Sequence, residues 1–306
     1  MKKMKNILTV DLEDWHSLVQ RRLTGHLPGT SPILFRQMDR LLQLLDSYNT
    51  KATFFVLGAV AEHQPDLVKS LAASGHEIAS HGYAHIPLYR LTPEQFREDT
   101  RKSKQILEDL IGSEVSGYRA ALFSIIKDTL WALDILAEEG FQYDSSIFPV
   151  YHHRYGIPGF CPHIQSYPLR NNLSIIEIPP SVTFFGKIPI PIAGGGYFRI
   201  MPSWFLHIMV RNLSNGKNPL VIYLHPYEID TQPLNIFDFF QPYNWRHYLY
   251  GWRYNIFRIV GYKSIYSKFK YLLKHYDFIP CKYFLNQFAA EGKFILPNDR
   301  SANNIV

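Results

Sequence analysis

Residues 77–85 read EIASHGYAH, a short apolar strand that runs into two histidines, His81 and His85. Neutral imidazole is the commonest protein ligand for zinc and related divalent ions, so two histidines just beyond a strand are candidate metal ligands. Histidines four residues apart also occur as ordinary loop or core residues. The stretch therefore predicts a metal site only if a further ligand lies at the same end of the sheet.

A cluster of acids near the start of the chain can supply that ligand. The apolar run 7–10 ends at Asp11, and Glu13 and Asp14 follow it. Side chains two residues apart on a strand share a face, so Asp11 and Glu13 should point the same way while Leu12 points away. A carboxylate from this cluster is therefore expected beside the histidines.

The rest of the chain alternates between strand-like and helix-like stretches. The predicted strands are 7–10, 52–57, 77–80, 115–118 and 220–224, and the predicted helices are 34–48, 66–73, 93–111, 127–139 and 202–213. Polar residues follow the strands. This alternation is typical of a parallel α/β sheet or barrel, in which ligands gather at the carboxyl ends of the strands.

Two parts of the chain depart from the alternation. Residues 148–200 are crowded with proline and glycine and are expected to form a loop-rich insertion with one strand, 174–178. The glycines at 194–196 should form a tight turn or line a substrate groove, because the context of a phosphate loop is missing. We expect a catalytic domain over 1–235 and an extension over 236–306.

The C-terminal extension is basic and aromatic. Between residues 243 and 283 it carries fourteen aromatics and eight Lys or Arg against one acid, whereas the rest of the chain is close to neutral. Such segments bind membrane surfaces, sugars or nucleic acid, or cap a barrel as solvated helices. We keep two interpretations, a simple cap and a contact with a membrane surface or lipid-linked substrate. Nucleic acid is not expected.

Composition gives an expected location. The two cysteines, Cys161 and Cys281, form no disulfide framework, and the apolar run 7–10 is too short for a signal peptide. No apolar run reaches the roughly 18 residues of a membrane-spanning helix. These features predict a cytoplasmic protein, with peripheral association at the inner face of the membrane left open.

The polar residues after the predicted strands form a coherent chemical set, namely Asp11, Glu13, Asp14, His81, His85, Arg119, Asp144 and His225. One carboxylate and two imidazoles make a three-ligand metal site with an open position for water. A second carboxylate can act as base, a distant histidine as acid, and an arginine can keep the base ionised. These parts suit metal-assisted hydrolysis of an amide or ester.

Longer motifs surround these residues: TVDLEDW (9–15), ATFF (52–55), GHEIASHGYAH (75–85), GYRA (117–120), YDSS (143–146), AGGGYFR (193–199) and YLHPYE (223–228). In this order the chain resembles the polysaccharide deacetylases of carbohydrate esterase family 4, and most closely the branch associated with bacterial exopolysaccharide and exosortase loci. The resemblance implies a distorted (β/α) barrel, an Asp-His-His metal site and removal of N-acetyl groups from an aminosugar polymer or oligosaccharide.

The resemblance also implies which residues bind the metal. His81 and His85 would be the imidazole ligands. The family's adjacent pair of aspartates is replaced here by Asp11-Leu12-Glu13-Asp14, so the carboxylate ligand is ambiguous. The shared strand face favours Glu13, and Asp14 is the alternative. Zinc is the expected metal, with cobalt or nickel as substitutes.

Carried over by position, Asp11 would be the base, Arg119 would orient it, and His225 would be the acid. The family's Arg-x-Pro is here Arg119-Ala120-Ala121, which removes a rigid turn, and the later aspartate that pairs with the acid histidine has no clear match. Asp144 is expected to shape the barrel. The residues expected to line the substrate pocket are Trp15, Tyr83, Gly195, Tyr197 and Phe198.

Two other functions fit parts of this pattern. An allantoinase-like hydrolase would use the same site on a small cyclic amide. A carbohydrate- or membrane-binding relative with a degenerate site would fit Ala121, but the retention of Asp11, His225 and both candidate imidazole ligands disfavours it.

Overall fold

A nine-stranded sheet lies at the centre of the computed structural model. The structure describes residues 5–26, 29–170, 173–192, 194–214, 218–230, 232, 234–238, 240–242, 244–259 and 261–290. The strands are β1 (Asn6–Leu12), β2 (Thr53–Val56), β3 (Glu77–Ser80), β4 (Gly117–Tyr118), β5 (Tyr143–Asp144), β6 (Gln165–Pro168), β7 (Ser174–Glu177), β8 (Val182–Phe185), β9 (Ile188–Pro191), β10 (Val221–Leu224) and β11 (Phe278–Ile279). Of these, β8 and β9 form a separate hairpin.

Helices connect and cover these strands. Those of the described ranges are α1 (Trp15–Thr24), α2 (Ile33–Ser47), α3 (Gly58–His63), α4 (Pro65–Ala73), α5 (Pro93–Ile111), α6 (Trp131–Glu138), α7 (Gly195–Ile200), α8 (Ser203–Ser214), α9 (Pro226–Ile229), α10 (Trp245–Ile259), α11 (Tyr262–His275) and α12 (Cys281–Ala290). Short 3₁₀ turns occur at Leu88–Arg90, Ala121–Phe123, Lys127–Thr129 and Ile236–Asp238.

The sheet has the order β10-β1-β2-β3-β4-β5-β7-β6, and β11 pairs beside β1. Every neighbouring pair is parallel except β6 and β7. Helices follow most of the parallel strands, because a parallel connection needs a crossover. The sheet curls into a half-barrel, which confirms the expected distorted (β/α) barrel.

The register of the sheet aligns the carboxyl ends of its central strands. Leu12 pairs with Val56, Val56 with Ser80, and Ser80 with Tyr118. The residues one step beyond β1, β3 and β4 are therefore Glu13, His81 and Arg119, at one edge of the sheet. Because side chains alternate along β1, a slip by one residue would exchange its two faces and turn Asp11 to the opposite side of the sheet.

Most predicted helices are present, with small differences at their ends. Helix α5 begins with a capping box, in which the Thr92 and Gln95 side chains each accept a hydrogen bond from the other's backbone N–H. The helix predicted over 127–139 is instead a 3₁₀ turn at Lys127–Thr129 followed by α6. Helix α1 was not predicted, although Asp14 caps its first turn.

The region predicted as a loop-rich insertion is more ordered than expected. It contains β6 and β7, which extend the main sheet, the hairpin β8–β9, and α7. Gly194, expected in a tight turn, has φ +147° and forms a parallel bridge with Tyr223. A Cβ at Gly194 would lie 1.7 Å from the Tyr223 carbonyl oxygen, so only glycine allows this approach.

The C-terminal segment packs against the barrel. Strand β11 pairs with the first two residues of β1, α11 packs on α7 and α9, and α12 packs on β1. In the described part of the chain, no helix is both long and apolar enough to cross a membrane. Residues 291–306 lie outside the described residues, and the domain boundary near 235 stays a prediction.

His76 precedes β3 and is 5% exposed. Its Nδ1 accepts a hydrogen bond from the Ala52 backbone N–H at 3.2 Å, so the neutral ring is the form that the fold accommodates. Burial, with a contribution from Lys51, lowers the pKa of His76 to about 4. Protonation in the folded state is therefore unfavourable.

We expect His76 to weaken the fold in acid. As pH falls from 6.5 toward 4, His76 becomes protonated in the unfolded chain but stays neutral in the folded protein. The free energy of unfolding therefore falls, by up to about 3 kcal/mol. Urea unfolding across this pH range should show a smaller loss in His76→Gln than in wild type. His26→Gln, at an exposed position, is the control. Parallel curves for wild type and His76→Gln would contradict the prediction.

Candidate metal and catalytic site

Glu13 and two histidines meet at the carboxyl edge of the sheet. Glu13 lies just after β1, and His81 and His85 lie in the segment after β3. Glu13 Oε1 is 3.0 Å from His81 Nε2 and 2.9 Å from His85 Nε2. All three side chains are buried, and their ligand atoms lie within 4.8 Å of one another. The structure thus brings together two of the predicted ligands and one of the two candidate carboxylates.

The protonation pattern of these side chains fits a bound cation. His81 Nδ1 lies 2.8 Å from the Arg119 carbonyl oxygen, which can only accept, so Nδ1 carries the proton and Nε2 presents a lone pair. Metal-ligating histidines commonly make this contact. That lone pair faces a carboxylate oxygen, and His85 Nε2 is buried without a hydrogen bond of good geometry. A divalent ion among the three atoms would satisfy all of them.

Electrostatics favour the same ligand forms. Burial alone would raise the pKa of Glu13, but His85, His225 and His81 outweigh it and hold that pKa well below its usual range. Burial lowers the pKa of His85 more than the Glu13 carboxylate raises it. An ionised carboxylate and a neutral imidazole are the forms that coordinate metals.

Asp14, the alternative carboxylate ligand, is engaged elsewhere. It caps α1 by accepting from the His16 backbone N–H at 3.1 Å. It also accepts from the hydroxyl of Ser17 at 2.8 Å, and from the hydroxyl and backbone N–H of Ser31. Its oxygens thus accept hydrogen bonds from the start of α1 and from Ser31 in the loop before α2. The geometry favours Glu13 as the ligand and gives Asp14 a structural role.

Arg119 holds Asp11 in place. Its Nη1 lies 2.6 Å from Asp11 Oδ1 and 2.9 Å from Thr9 Oγ1. On the other side, Nε donates to the Ser145 carbonyl at 3.0 Å and Nη2 to the Ser145 hydroxyl at 2.7 Å. The side chain is fully buried, with the Phe55 ring centroid 4.2 Å from its guanidinium carbon. Ser145 thus fixes the arginine, although Ala121 replaces the family proline.

His225 approaches the site from the end of β10. Its Nε2 lies 3.9 Å from Asp11 Oδ2 and 3.8 Å from Glu13 Oε2, and its ring stacks on Tyr227. Burial lowers the pKa of His225, but Glu13, Glu228 and Asp11 outweigh it and raise that pKa to about 9. The imidazole is therefore protonated near neutral pH and can donate a proton.

Glu228 is a site residue that the sequence reasoning missed. Its Oε2 lies 3.2 Å from His225 Nδ1 and also accepts the His225 backbone N–H at 3.0 Å. Glu228 thus supplies a carboxylate that pairs with His225, a partner that the sequence reasoning did not find. The signal was available in His225-Pro-Tyr-Glu228, since a glutamate three residues after a helix cap reaches back to the cap.

Asp144 lies away from the ligand clusters and supports the loop after β5. It is fully buried and accepts from the Ser146 hydroxyl at 2.6 Å and the Ser146 backbone N–H at 3.0 Å. Burial raises its pKa, and its neighbour across the sheet, Glu177, accepts from the Ile147 backbone N–H. Together these two acids hold the turn that presents Ser145 to Arg119.

The residues expected to line the substrate pocket have different surroundings in the structure. Trp15 and Phe198 are both 4% exposed and pack in apolar clusters. Phe198 also lines a small cavity together with Gly195 and Glu228, and the role of both aromatic residues in substrate binding stays a prediction. Tyr83 is occupied by contacts outside the ligand cluster, with its hydroxyl 2.6 Å from Glu62 Oε2 and Lys102 over its ring.

Gly195 and Tyr197 lie nearer to Arg119. Gly195 packs against the Tyr223 hydroxyl, and the Tyr197 hydroxyl lies 2.8 Å from that of Tyr155. Both border a cluster of aromatic rings that extends to Arg119, formed by Phe123, Phe148, Tyr155, Tyr197 and Tyr223. Most of this aromatic cluster was not predicted, because its rings come from segments far apart in the sequence.

Two family models together match most of the chain. Residues 36–143 match the model described as "Polysaccharide deacetylase", and residues 145–286 match a "Domain of unknown function (DUF3473)". The first contains His81, His85 and Arg119, and the second contains His225 and Glu228. The segments that match the two models therefore both contribute residues to the candidate site.

Curated relatives match shorter stretches. "Peptidoglycan deacetylase-like protein FGM2" of Gibberella zeae is 32% identical over 46% of this chain and 45% of its own length. "Peptidoglycan-N-acetylglucosamine deacetylase" of Bacillus cereus is 35% identical over 31% of this chain and 35% of its own length. The chain thus spans less than half the length of these relatives.

Solved structures share the fold at low identity. A Mycobacterium smegmatis structure, provisionally named a polysaccharide deacetylase, has a TM-score of 0.58 at 20% identity, covering 97% of this chain and 94% of its own. Puue allantoinase has a TM-score of 0.59 at 16% identity, covering 93% and 89%. Residues 36–143 thus match the polysaccharide deacetylase model, and curated relatives similar to part of this chain carry deacetylase names.

Proposed function

We propose that the protein is a metal-dependent hydrolase that removes N-acetyl groups from an aminosugar polymer or oligosaccharide. The proposal rests on one observation, which is that residues suited to bind a cation, to act as a base and to act as an acid lie together at one edge of the sheet. Glu13, His81 and His85 form a cation site. Beside it lie an arginine-held carboxylate, Asp11, and a carboxylate-held imidazole, His225.

Asp11 is positioned to accept the proton of the attacking water. Arg119 holds its Oδ1, which leaves Oδ2 directed toward His225 and the ligand cluster. The buried guanidinium fixes the orientation of the carboxylate, as a general base requires. A divalent ion held by Glu13, His81 and His85 would supply Lewis-acid polarisation of the acetyl carbonyl.

His225 is positioned to protonate the departing amine. Its Nε2 faces the site, while Glu228 holds Nδ1 and stabilises the imidazolium. An amine leaves readily only when it takes up a proton as the carbon–nitrogen bond breaks, so an acid with a raised pKa suits this step. Asp11 and His225 thus divide proton removal and proton delivery between them.

The substrate, the metal and the metabolic role are also part of the proposal. Both curated relatives described above carry peptidoglycan deacetylase names, which supports an acetylated aminosugar polymer as substrate. The motif pattern suggests bacterial exopolysaccharide metabolism, with either the polymer or a lipid-linked precursor as substrate. Zinc is the proposed metal, because two imidazoles and a carboxylate are donors that it favours. Cytoplasmic location stays a prediction.

An allantoinase-like activity on a small cyclic amide is the second candidate. The fold matches Puue allantoinase as well as it matches the deacetylase structure, so shape alone does not separate them. A degenerate binding protein is disfavoured, because Asp11, Arg119, His225 and Glu228 keep the contacts that catalysis needs. An assay with both an acetylated chitooligosaccharide and allantoin distinguishes the three functions.

Metal binding is expected to separate Glu13 from Asp14. The purified protein should bind one zinc ion, and His81→Ala and Glu13→Gln should lose it because each removes a ligand. Asp14→Asn should keep the ion and lose about 1 kcal/mol of stability as a weakened helix cap. Elemental analysis and urea unfolding measure both effects. A metal-free wild type would refute the site, and a second bound ion would refute the acid–base roles of Asp11 and His225.

Asp11→Asn is expected to abolish acetate release from acetylated glucosamine oligomers. Loss of a general base should lower kcat by roughly 100- to 10,000-fold, while the bound metal remains. Asp66→Asn, at an exposed position on α4, is the control and should retain full activity. Retained turnover in Asp11→Asn with metal bound would contradict the assignment of the base.

Glu228→Gln is expected to shift the pH dependence of the reaction. The acid form of His225 is present below its pKa and lost above it, so kcat/KM should fall on the alkaline side. Removing the Glu228 charge lowers the pKa of His225, which should move this decline to lower pH. Glu138→Gln, at a surface ion pair, is the control and should leave the profile in place. An unmoved profile in Glu228→Gln would show that this carboxylate does not tune the acid.

A further inference from the structure

Helix α10 turns its polar face toward the protein. The residues of this helix that pack inward include His247, Gly251 and Asn255, spaced four residues apart, together with Tyr254, which packs on the apolar cluster around Trp15. Asn255 Oδ1 accepts from the Ile236 backbone N–H at 2.8 Å, and His247 packs against the Phe240 ring. A Cβ at Gly251 would lie 2.8 Å from Phe237, so the close approach depends on glycine. This side of α10 therefore packs closely against the rest of the protein.

The opposite face of α10 is apolar and exposed. Its large side chains at helical spacing are Trp245, Tyr248, Leu249, Trp252 and Ile256. The two tryptophans are 69% and 61% exposed. A surface helix normally buries its apolar stripe and exposes its polar one, so α10 is inverted. A contiguous exposed apolar surface of this kind marks an interaction site.

The positive charge around α10 limits which partners can bind its exposed face. Residues 245–275, which span α10 and α11, contain seven Lys or Arg and no acid. Arg246 and Arg253 are exposed on α10 itself, beside the aromatic stripe. A second copy of the chain would bring two such basic surfaces together, which is unfavourable. A deacetylated aminosugar would carry positive charge as well. An anionic surface that also accepts apolar side chains fits best.

We propose that α10 lies in the plane of an anionic lipid bilayer, with its aromatic face among the headgroups. Tryptophan and tyrosine favour the membrane interface, and arginines beside them pair with anionic lipids. The helix also contacts α1, which begins two residues after Glu13. The proposal goes beyond the catalytic one and stands without it.

Co-sedimentation with vesicles tests the docking of α10. The full chain should bind vesicles of equal parts phosphatidylglycerol and phosphatidylcholine, and bind phosphatidylcholine alone much more weakly. The double variant W245Q/W252Q should bind the anionic vesicles at least about tenfold more weakly, because it removes the two largest apolar anchors. W204Q, at a tryptophan on α8 that is 65% exposed, is the matched control and should bind like wild type.

Several results would overturn the docking proposal. These are equal vesicle binding by W245Q/W252Q and wild type, no binding by wild type, or a loss in W204Q as large as in the double variant. Failure to bind vesicles, combined with chitooligosaccharide binding that W245Q/W252Q removes, would assign the face to sugar. A wild-type dimer in sedimentation velocity that the double variant abolishes would assign it to a second copy. Acetate release from a soluble substrate, measured in parallel, reports on the catalytic proposal separately.

Discussion

The buried guanidinium of Arg119 is the interaction on which the site depends. It joins β1, through Thr9 and Asp11, to the loop after β5, through Ser145. The carbonyl of the same residue fixes the tautomer of His81. A fully buried charge must be paired and hydrogen-bonded, and losing one partner of such a pair typically costs about 3–5 kcal/mol. One residue therefore orients both the proposed base and a proposed metal ligand.

The sequence was sufficient to predict the fold class and most of the candidate site. Apolar strands that end in polar residues indicate a parallel α/β sheet, and parallel strands bring their carboxyl ends to one edge. This reasoning placed Asp11, Glu13, His81, Arg119 and His225 together before any contact was known. The alternation of side chains along β1 also favoured Glu13 over Asp14, and the geometry agrees.

Features set by tertiary contacts could not be predicted in this way. Ser145 supports Arg119 only because the loop after β5 lies against the loop after β4. The burial of Trp15 and Phe198 depends on helices that pack from distant parts of the chain. The sequence did not predict the inverted orientation of α10 either, because an amphipathic pattern does not show which face of a helix packs on the rest of the protein.

The pairing of β1 has a consequence for how the chain folds as it is synthesised. The first strand is flanked by β10 and β11, whose residues lie more than 200 positions later in the sequence. The Cys281 and Lys282 amides also bind Thr53 and Glu77. One edge of β1, an apolar strand, therefore stays unpaired until β10 has been synthesised. Such non-local topology folds slowly, so nascent chains should depend on chaperones to shield this edge.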